Sequence, residues 1–193
     1  MLSPVVAGLL VVLALTGCQR KPRVVYLTSF GGVPRAQVRM VRAAIQEFYQ
    51  LPVRELPAQR HAAGTLCPVR QRHRAALVLA QLEALLPDST DGKVIALTTK
   101  DVEVEDGRQP HWGVMGLAND IGGTACVVST FRLAGKTERL RKVSLHEIGH
   151  LLHLPHCRSG NPSCLMQDAR GRGAVVDRTR VLLCPDCRAR VGW

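Results

Sequence analysis

A chain of 193 residues, 46% hydrophobic and 21% charged, has room for one domain with its own core and not for two. A net charge of +11 does not signal disorder here, because mean hydropathy is +0.04 and long apolar runs are present. No run reaches the about 18 apolar residues of a membrane-spanning helix, and 4% aromatic content disfavours base-stacking nucleic-acid platforms. Lys21, Lys93, Lys100, Lys136 and Lys142 are the only lysines among 26 basic side chains. The arginine excess fits a GC-rich genome, or attraction to an anionic surface such as lipid headgroups or acidic polypeptide. The basic residues form no long consecutive run, so no nucleic-acid partner is expected.

The first segment reads as an address. Met1 to Gly17 carries no charged side chain, and Val5 to Leu15 is an apolar run of signal-peptide length. Leu15-Thr16-Gly17-Cys18 resembles the lipobox of bacterial lipoproteins, whose cysteine is acylated and becomes the new N-terminus. The resemblance implies a lipoprotein signal peptide over 1–17, a lipid anchor on Cys18 and a mature domain over 18–193. The protein would then sit in the cell envelope, lipid-anchored at the outer membrane or the outer face of the cytoplasmic membrane, and Gln19 favours the outer membrane. Arg20, Lys21 and Arg23 depart from the pattern by following the apolar run instead of preceding it. An uncleaved anchor or a buried N-terminal helix is the alternative.

Val24 to Ser29 reads as a buried strand, and Gly31-Gly32 turns it toward a helix over Arg35 to Tyr49. In that helix Val38, Val41, Ala44, Ile45 and Phe48 fall on one apolar stripe. Leu51 to Leu56 is a second strand. Arg74 to Leu86 is a second amphipathic helix, with Leu77, Ala80, Leu82 and Leu85 as its apolar positions and Pro87 as its stop. His61, His73 and His111 read as scattered, exposed histidines. Val94 to Thr98 is a third strand, Asp106 to Pro110 a turn, and Gly113 to Ala118 a short strand interrupted by glycines. Asn119-Asp120 before Gly122-Gly123 reads as a hairpin turn leading to a last strand over Ala125 to Ser129. This βαβαβββ order fits a mixed sheet with helices packed on it.

The chemistry lies between Leu140 and Cys187. His146-Glu147-Ile148-Gly149-His150 is an HExxH motif, in which a helix points residues i and i+4 the same way. His146 and His150 can therefore reach one zinc ion, with Glu147 beside them to take a proton from water at the metal. Leu145, Ile148, Leu151 and Leu152 give the same helix an apolar surface. Pro155 stops the helix and can swing His156 back toward the zinc, which makes three histidines and an open fourth position. Cys157, Cys164, Cys184 and Cys187 follow at C-x6-C and C-x19-C-x2-C spacings, which read as a closed four-cysteine zinc site. Two disulfides are the rival reading in an exported protein; the CxxC spacing and the position beside His156 favour zinc. Cys67 and Cys126 are either buried thiols or a further disulfide.

These motifs, with Cys164-Leu165-Met166 and Cys184-Pro185-Asp186-Cys187, resemble the archaemetzincins, zinc metallopeptidases of the metzincin clan. The resemblance extends more weakly through Arg72 to Ala75, Trp112 to Ala118 and Val128 to Leu133. It implies an α+β fold: a twisted mixed sheet with two packing helices, an active-site helix near Arg139 to Leu152, and a small zinc-bound lobe over about 154–193. It also implies two zinc ions, one catalytic on His146, His150 and His156 and one structural on the four cysteines. Met166 matches the methionine of the turn beneath the catalytic zinc, and peptide or protein is the implied substrate. Two departures stand out. His153 replaces the glycine usual at the helix end, and six residues instead of four separate Cys157 from Cys164. Asp168 and Asp177 read as solvated or turn-capping residues that could instead support the zinc histidines. A second class of function stays open on the residues alone: a binding module for an anionic partner with a vestigial HExxH site.

Overall fold

The computed structural model describes residues 24–87, 91–106 and 109–191; the expected signal segment 1–17 and Cys18 lie outside the described residues. In chain order the elements are β1 (Val25–Ser29), α1 (Arg35–Tyr49), β2 (Val53–Glu55), β3 (Leu66–Cys67), β4 (Arg72–Arg74), α2 (Ala75–Glu83), β5 (Lys93–Thr98), β6 (Val102–Asp106), β7 (Gln109–Val114), β8 (Gly116–Ala118), β9 (Ala125–Ser129), α3 (Thr137–Leu151), α4 (Gly173–Arg178) and α5 (Pro185–Val191).

The main sheet runs β2-β1-β5-β9-β8. Its first four strands are parallel, and β8 closes the edge antiparallel to β9. Near-continuous apolar runs such as Val94 to Leu97 and Ala125 to Val128 are what a sheet covered on both faces requires. Alternation divides those side chains between two layers. Val25, Leu27, Ile95, Leu97, Cys126 and Val128 face α1 and α3, while Val24, Tyr26, Val94, Ala96, Ala125 and Val127 face α2. Each fully buried aliphatic side chain contributes about 1.5–3 kcal/mol. Leu154, Leu165, Met166 and Val176 belong to the first layer, so the C-terminal lobe shares the core of the sheet.

A second sheet, β3-β4-β6-β7, accompanies the single sheet expected from sequence. It includes a parallel β4–β6 pair and an antiparallel β6–β7 pair. The segment expected as one strand over Gly113 to Ala118 is shared between the sheets: β7 ends at Val114 and β8 begins at Gly116. The buried face of α2 also differs from expectation. It consists of Ala75, Val78, Leu79 and Leu82, whereas Ala80 is exposed and Leu77 is 44% exposed. Ala75, Val78, Leu79 and Leu82 keep the i, i+3, i+4, i+7 spacing that lies flat on β9 and β5, and packing chose that stripe over its neighbour.

Two of the histidines expected at the surface are core-facing. His61 stacks between Phe30 and His73 at centroid distances of 3.9 and 3.7 Å. His73 is buried and donates from Nδ1 to Thr65 Oγ1 at 2.9 Å, the hydroxyl itself being donated to Ala62 O. Burial, then the facing His73, pushes His61 down to about 4, and burial lowers His73 as well. Below about pH 6.5 the unfolded chain therefore takes up protons that the folded stack refuses, so stability falls as pH drops from there toward 4. Urea denaturation across that range checks this. A His61→Phe chain, though it loses the contact to Thr98 Oγ1, should show a shallower loss with acid; an unchanged slope would assign the loss to other groups.

Candidate metal centre

Helix α3 buries Leu140, Val143, Leu145, Ile148 and Leu151 and carries His146 and His150 one turn apart. It stops at His153, whose φ is +67°. His153 N–H donates to His150 O at 3.0 Å and Leu154 N–H to Gly149 O at 2.9 Å, the paired bonds of a left-handed helix stop. Histidine here occupies a conformation that favours glycine. The chain then doubles back through Pro155, and Cys157 N–H donates to Met166 O at 2.8 Å, which holds His156 opposite the helix. A ring nitrogen from each of His146, His150 and His156 lies within 4.8 Å of the other two.

The orientation of the first two rings is fixed by the backbone. His146 Nδ1 donates to Leu165 O at 2.8 Å and His150 Nδ1 to Leu154 O at 2.7 Å. Carbonyls only accept, so both protons are committed and both Nε2 atoms present lone pairs, 3.0 Å apart. Two such lone pairs repel unless a cation sits between them. Burial, followed by the neighbouring His150, holds His146 down to about 3, and burial lowers His150 too, so both rings are neutral. Neutral imidazoles oriented by backbone carbonyls are what a zinc site requires. His153 takes no part in this cluster: a Cβ on Gly122 would run into its ring, which places it against the β8–β9 hairpin.

Glu147 is buried, 7% exposed, and points toward β8. A Cβ at Gly116 would come within 2.6 Å of its Oε1, so the glycine in β8 makes room for the carboxylate. Burial pushes Glu147 up to about 8 against a backbone hydrogen bond from Ala118; a divalent cation held by the adjacent histidines counters that rise. The three histidines and Glu147 line a cleft of about 390 Å³ bounded by β8 on one side and by Gln167 to Gly171 on the other. Trp112 adds an apolar wall. Among the described residues, β8 is an edge strand with no neighbour on the side away from β9.

Beneath the helix, Met166 is fully buried, and Tyr49 donates its hydroxyl to Leu145 O at 2.7 Å across 96 residues. Gly149 is what lets both approach, since a Cβ there would lie 2.6 Å from Met166 Sδ and 2.9 Å from the Tyr49 hydroxyl. A glycine inside a helix costs about 1 kcal/mol against alanine and calls for a packing reason; that was the available signal for Gly149. Nothing local in the sequence pointed to Tyr49.

Cys157, Cys164, Cys184 and Cys187 are free thiols whose sulfurs lie within 4.8 Å of one another. Cys157 Sγ and Cys184 Sγ are 3.6 Å apart, close to the about 3.8 Å edge of a tetrahedral ZnS₄ unit. Burial works against ionisation of Cys184, but Ser159 Oγ, donating at 3.4 Å, and the Cys187 backbone bring it down to about 6. Burial and the neighbouring thiols push Cys164 and Cys187 up. Four sulfurs this close all ionise only around a cation, so the donor set fits zinc. Asp177 belongs to neither ligand group and pairs with Arg139 at 2.7 Å, fastening α4 to α3. Asp168 borders the cleft and caps a turn through Arg170 N–H at 2.9 Å.

No protein-family model matches the chain. The archaemetzincin of Haloarcula marismortui is 37% identical over 114 residues, 52% of this chain and 61% of that one. The archaemetzincin of Aeropyrum pernix is 41% identical over 91 residues, 45% of this chain and 48% of that one. The chain thus spans about half the length of these two relatives. A longer match, 29% identical, joins 83% of the chain to 95% of the Halobacterium salinarum archaemetzincin. Among solved structures, the archaemetzincin of Archaeoglobus fulgidus complexed with malonate superposes with a TM-score of 0.72 at 26% identity, over 86% of this chain and 99% of that one. A zinc-dependent peptidase from Methanocorpusculum labreanum gives the same score, identity and coverage.

The close approach at Gly149 carries its own test. Gly149→Ala should lower stability by about 1–3 kcal/mol through overpacking, despite alanine's higher helix propensity. Thermal denaturation reads this directly, and a stabilised variant would show that Met166 and Tyr49 yield freely.

Proposed function

The chain is archaemetzincin-like in sequence and in fold, and from that premise we propose that it is a zinc-dependent peptidase. One observation carries the reading: neutral imidazoles with outward lone pairs converge in a cleft, beside a buried carboxylate and an edge strand. In this reading His146, His150 and His156 hold the catalytic zinc, each through one ring nitrogen. Cys157, Cys164, Cys184 and Cys187 hold a structural zinc, and Met166 packs beneath the catalytic one. The alternation of Cys157 with His156 gives neighbouring residues to the two centres, so each steadies the backbone of the other.

A zinc ion held by His146, His150 and His156 would supply Lewis acidity, lowering the pKa of water to about 7 and polarising a carbonyl. Glu147 accepts the proton of the attacking water and returns it to the leaving amine. Its carboxylate lies against Gly116, so an extended peptide added to the edge of β8 by backbone hydrogen bonds runs alongside it. Trp112 and the apolar wall of the cleft receive substrate side chains. Cys18 is the proposed lipid anchor in the cell envelope, on the strength of the Leu15 to Cys18 sequence.

Glu147→Gln should reduce peptide turnover by about 10²–10⁴-fold or more while zinc content stays unchanged, because Glu147 moves a proton and ligates nothing. His156→Ala should lose zinc and turnover together. Turnover assays on a peptide library beside elemental analysis check both, and an active Glu147→Gln chain would remove Glu147 from the reaction. Mass spectrometry of membrane-extracted protein should find lipid on Cys18, whereas an intact Met1 on protein recovered without detergent would refute the anchor.

A further inference from the structure

The second sheet brings together three metal-binding side chains that neither zinc centre uses. Cys67 comes from β3, Glu103 from β6 and His111 from β7, and their ligand atoms lie within 4.8 Å of one another. His111 Nδ1 is 3.0 Å from Glu103 Oε1 and 3.9 Å from Cys67 Sγ. In a tetrahedral zinc site, bond lengths of about 2.0 Å to nitrogen or oxygen and about 2.3 Å to sulfur put neighbouring ligands about 3.3–3.6 Å apart. The three groups therefore need only small adjustments to share an ion.

Glu103 makes the case beyond proximity. It is 1% exposed, and its Oε2 has no hydrogen-bond partner among the described residues. Arg72 points its donors elsewhere, Nη1 to His111 O and Nε to Asp101, each at 2.8 Å. Cys67 is equally buried, at 1% exposure, while His111 is half-buried and leaves a side open to solvent. A β-bulge aims the histidine inward. Val104 pairs with Trp112 and Asp106 with Gln109, so Pro110 and His111 stand opposite Glu105 alone, and His111 has φ +65°.

We propose that Cys67, Glu103 and His111 form a third metal site, of zinc class, that ties β3, β6 and β7 together. Thiolate, carboxylate and imidazole are a borderline-soft donor set suited to zinc or cobalt(II). The two anionic ligands neutralise the ion's charge, which suits a buried position, and water from the open side of His111 completes the coordination. The site braces the strand that carries Trp112 to the cleft. A plain Glu103–His111 ion pair, with Cys67 a bystander, is the competing account.

The full chain, equilibrated with zinc and freed of excess, should carry three zinc ions by elemental analysis. Glu103→Gln and His111→Gln should each carry two. A wild-type count of two, or three ions retained by both variants, overturns the proposal. Should the variants fail to fold, wild-type protein decides alone: cobalt(II) exchanged into the most readily chelated site is examined by X-ray absorption. One sulfur among its ligands identifies this site, whereas four sulfurs or none at every exchangeable position assigns all bound metal to the other two centres and ends the proposal.

Discussion

Lone-pair geometry is the constraint from which the rest of the centre follows. Leu165 O and Leu154 O take the Nδ1 protons of His146 and His150, and the two Nε2 atoms are left facing one another at 3.0 Å. An arrangement of that kind is unfavourable empty and favourable around a cation. Both carbonyls come from the chain that follows α3, so the helix alone does not make the site. The left-handed stop at His153 sets Leu154, and the turn containing Met166 sets Leu165. The Cys157–Met166 backbone bond joins those two segments and holds His156 opposite the helix.

The four-cysteine cluster extends the same logic. Cys157 belongs to the segment that delivers His156, and Cys164 lies two residues before Met166, with its sulfur receiving the Cys184 N–H at 3.5 Å. An ion on the four sulfurs would lock both ends of the C-terminal segment against the core that α1 and α3 share. On the other wall, Gly116 and Gly149 are small for related reasons: one admits Glu147 beside β8, the other admits Met166 and Tyr49 beneath the helix.

How much of this was legible in the sequence depended on how local each cause was. His146, Glu147 and His150 lie within one helical turn and a bit, and Pro155 announces the reversal that returns His156, so the cluster could be read from spacing. The strands β1, β5 and β9 were legible because unbroken apolar runs mark strands buried on both faces, and the stripe of α1 because its apolar residues recur at helical spacing. The second sheet was not, because β3 and β4 are two- and three-residue strands, and the pairing of β4 with β6 joins chain on either side of α2 and β5. The face of α2 was misjudged because Leu77 and Val78 are equally apolar and only the partner surface distinguishes them. Tyr49 at Leu145, the Phe30–His61–His73 stack, and the approach of Cys67, Glu103 and His111 are tertiary contacts without a local pattern.

We propose that the histidine cluster holds one zinc ion beside a second zinc on the cysteines. Anomalous scattering from crystals of the protein, recorded on either side of the zinc absorption edge, tests it most directly. The account predicts a zinc peak bounded by His146, His150 and His156, with one further position open to the cleft, and another at the centre of the four cysteine sulfurs. Absence of a peak among the histidines, together with disulfide density between the cysteines, would contradict it.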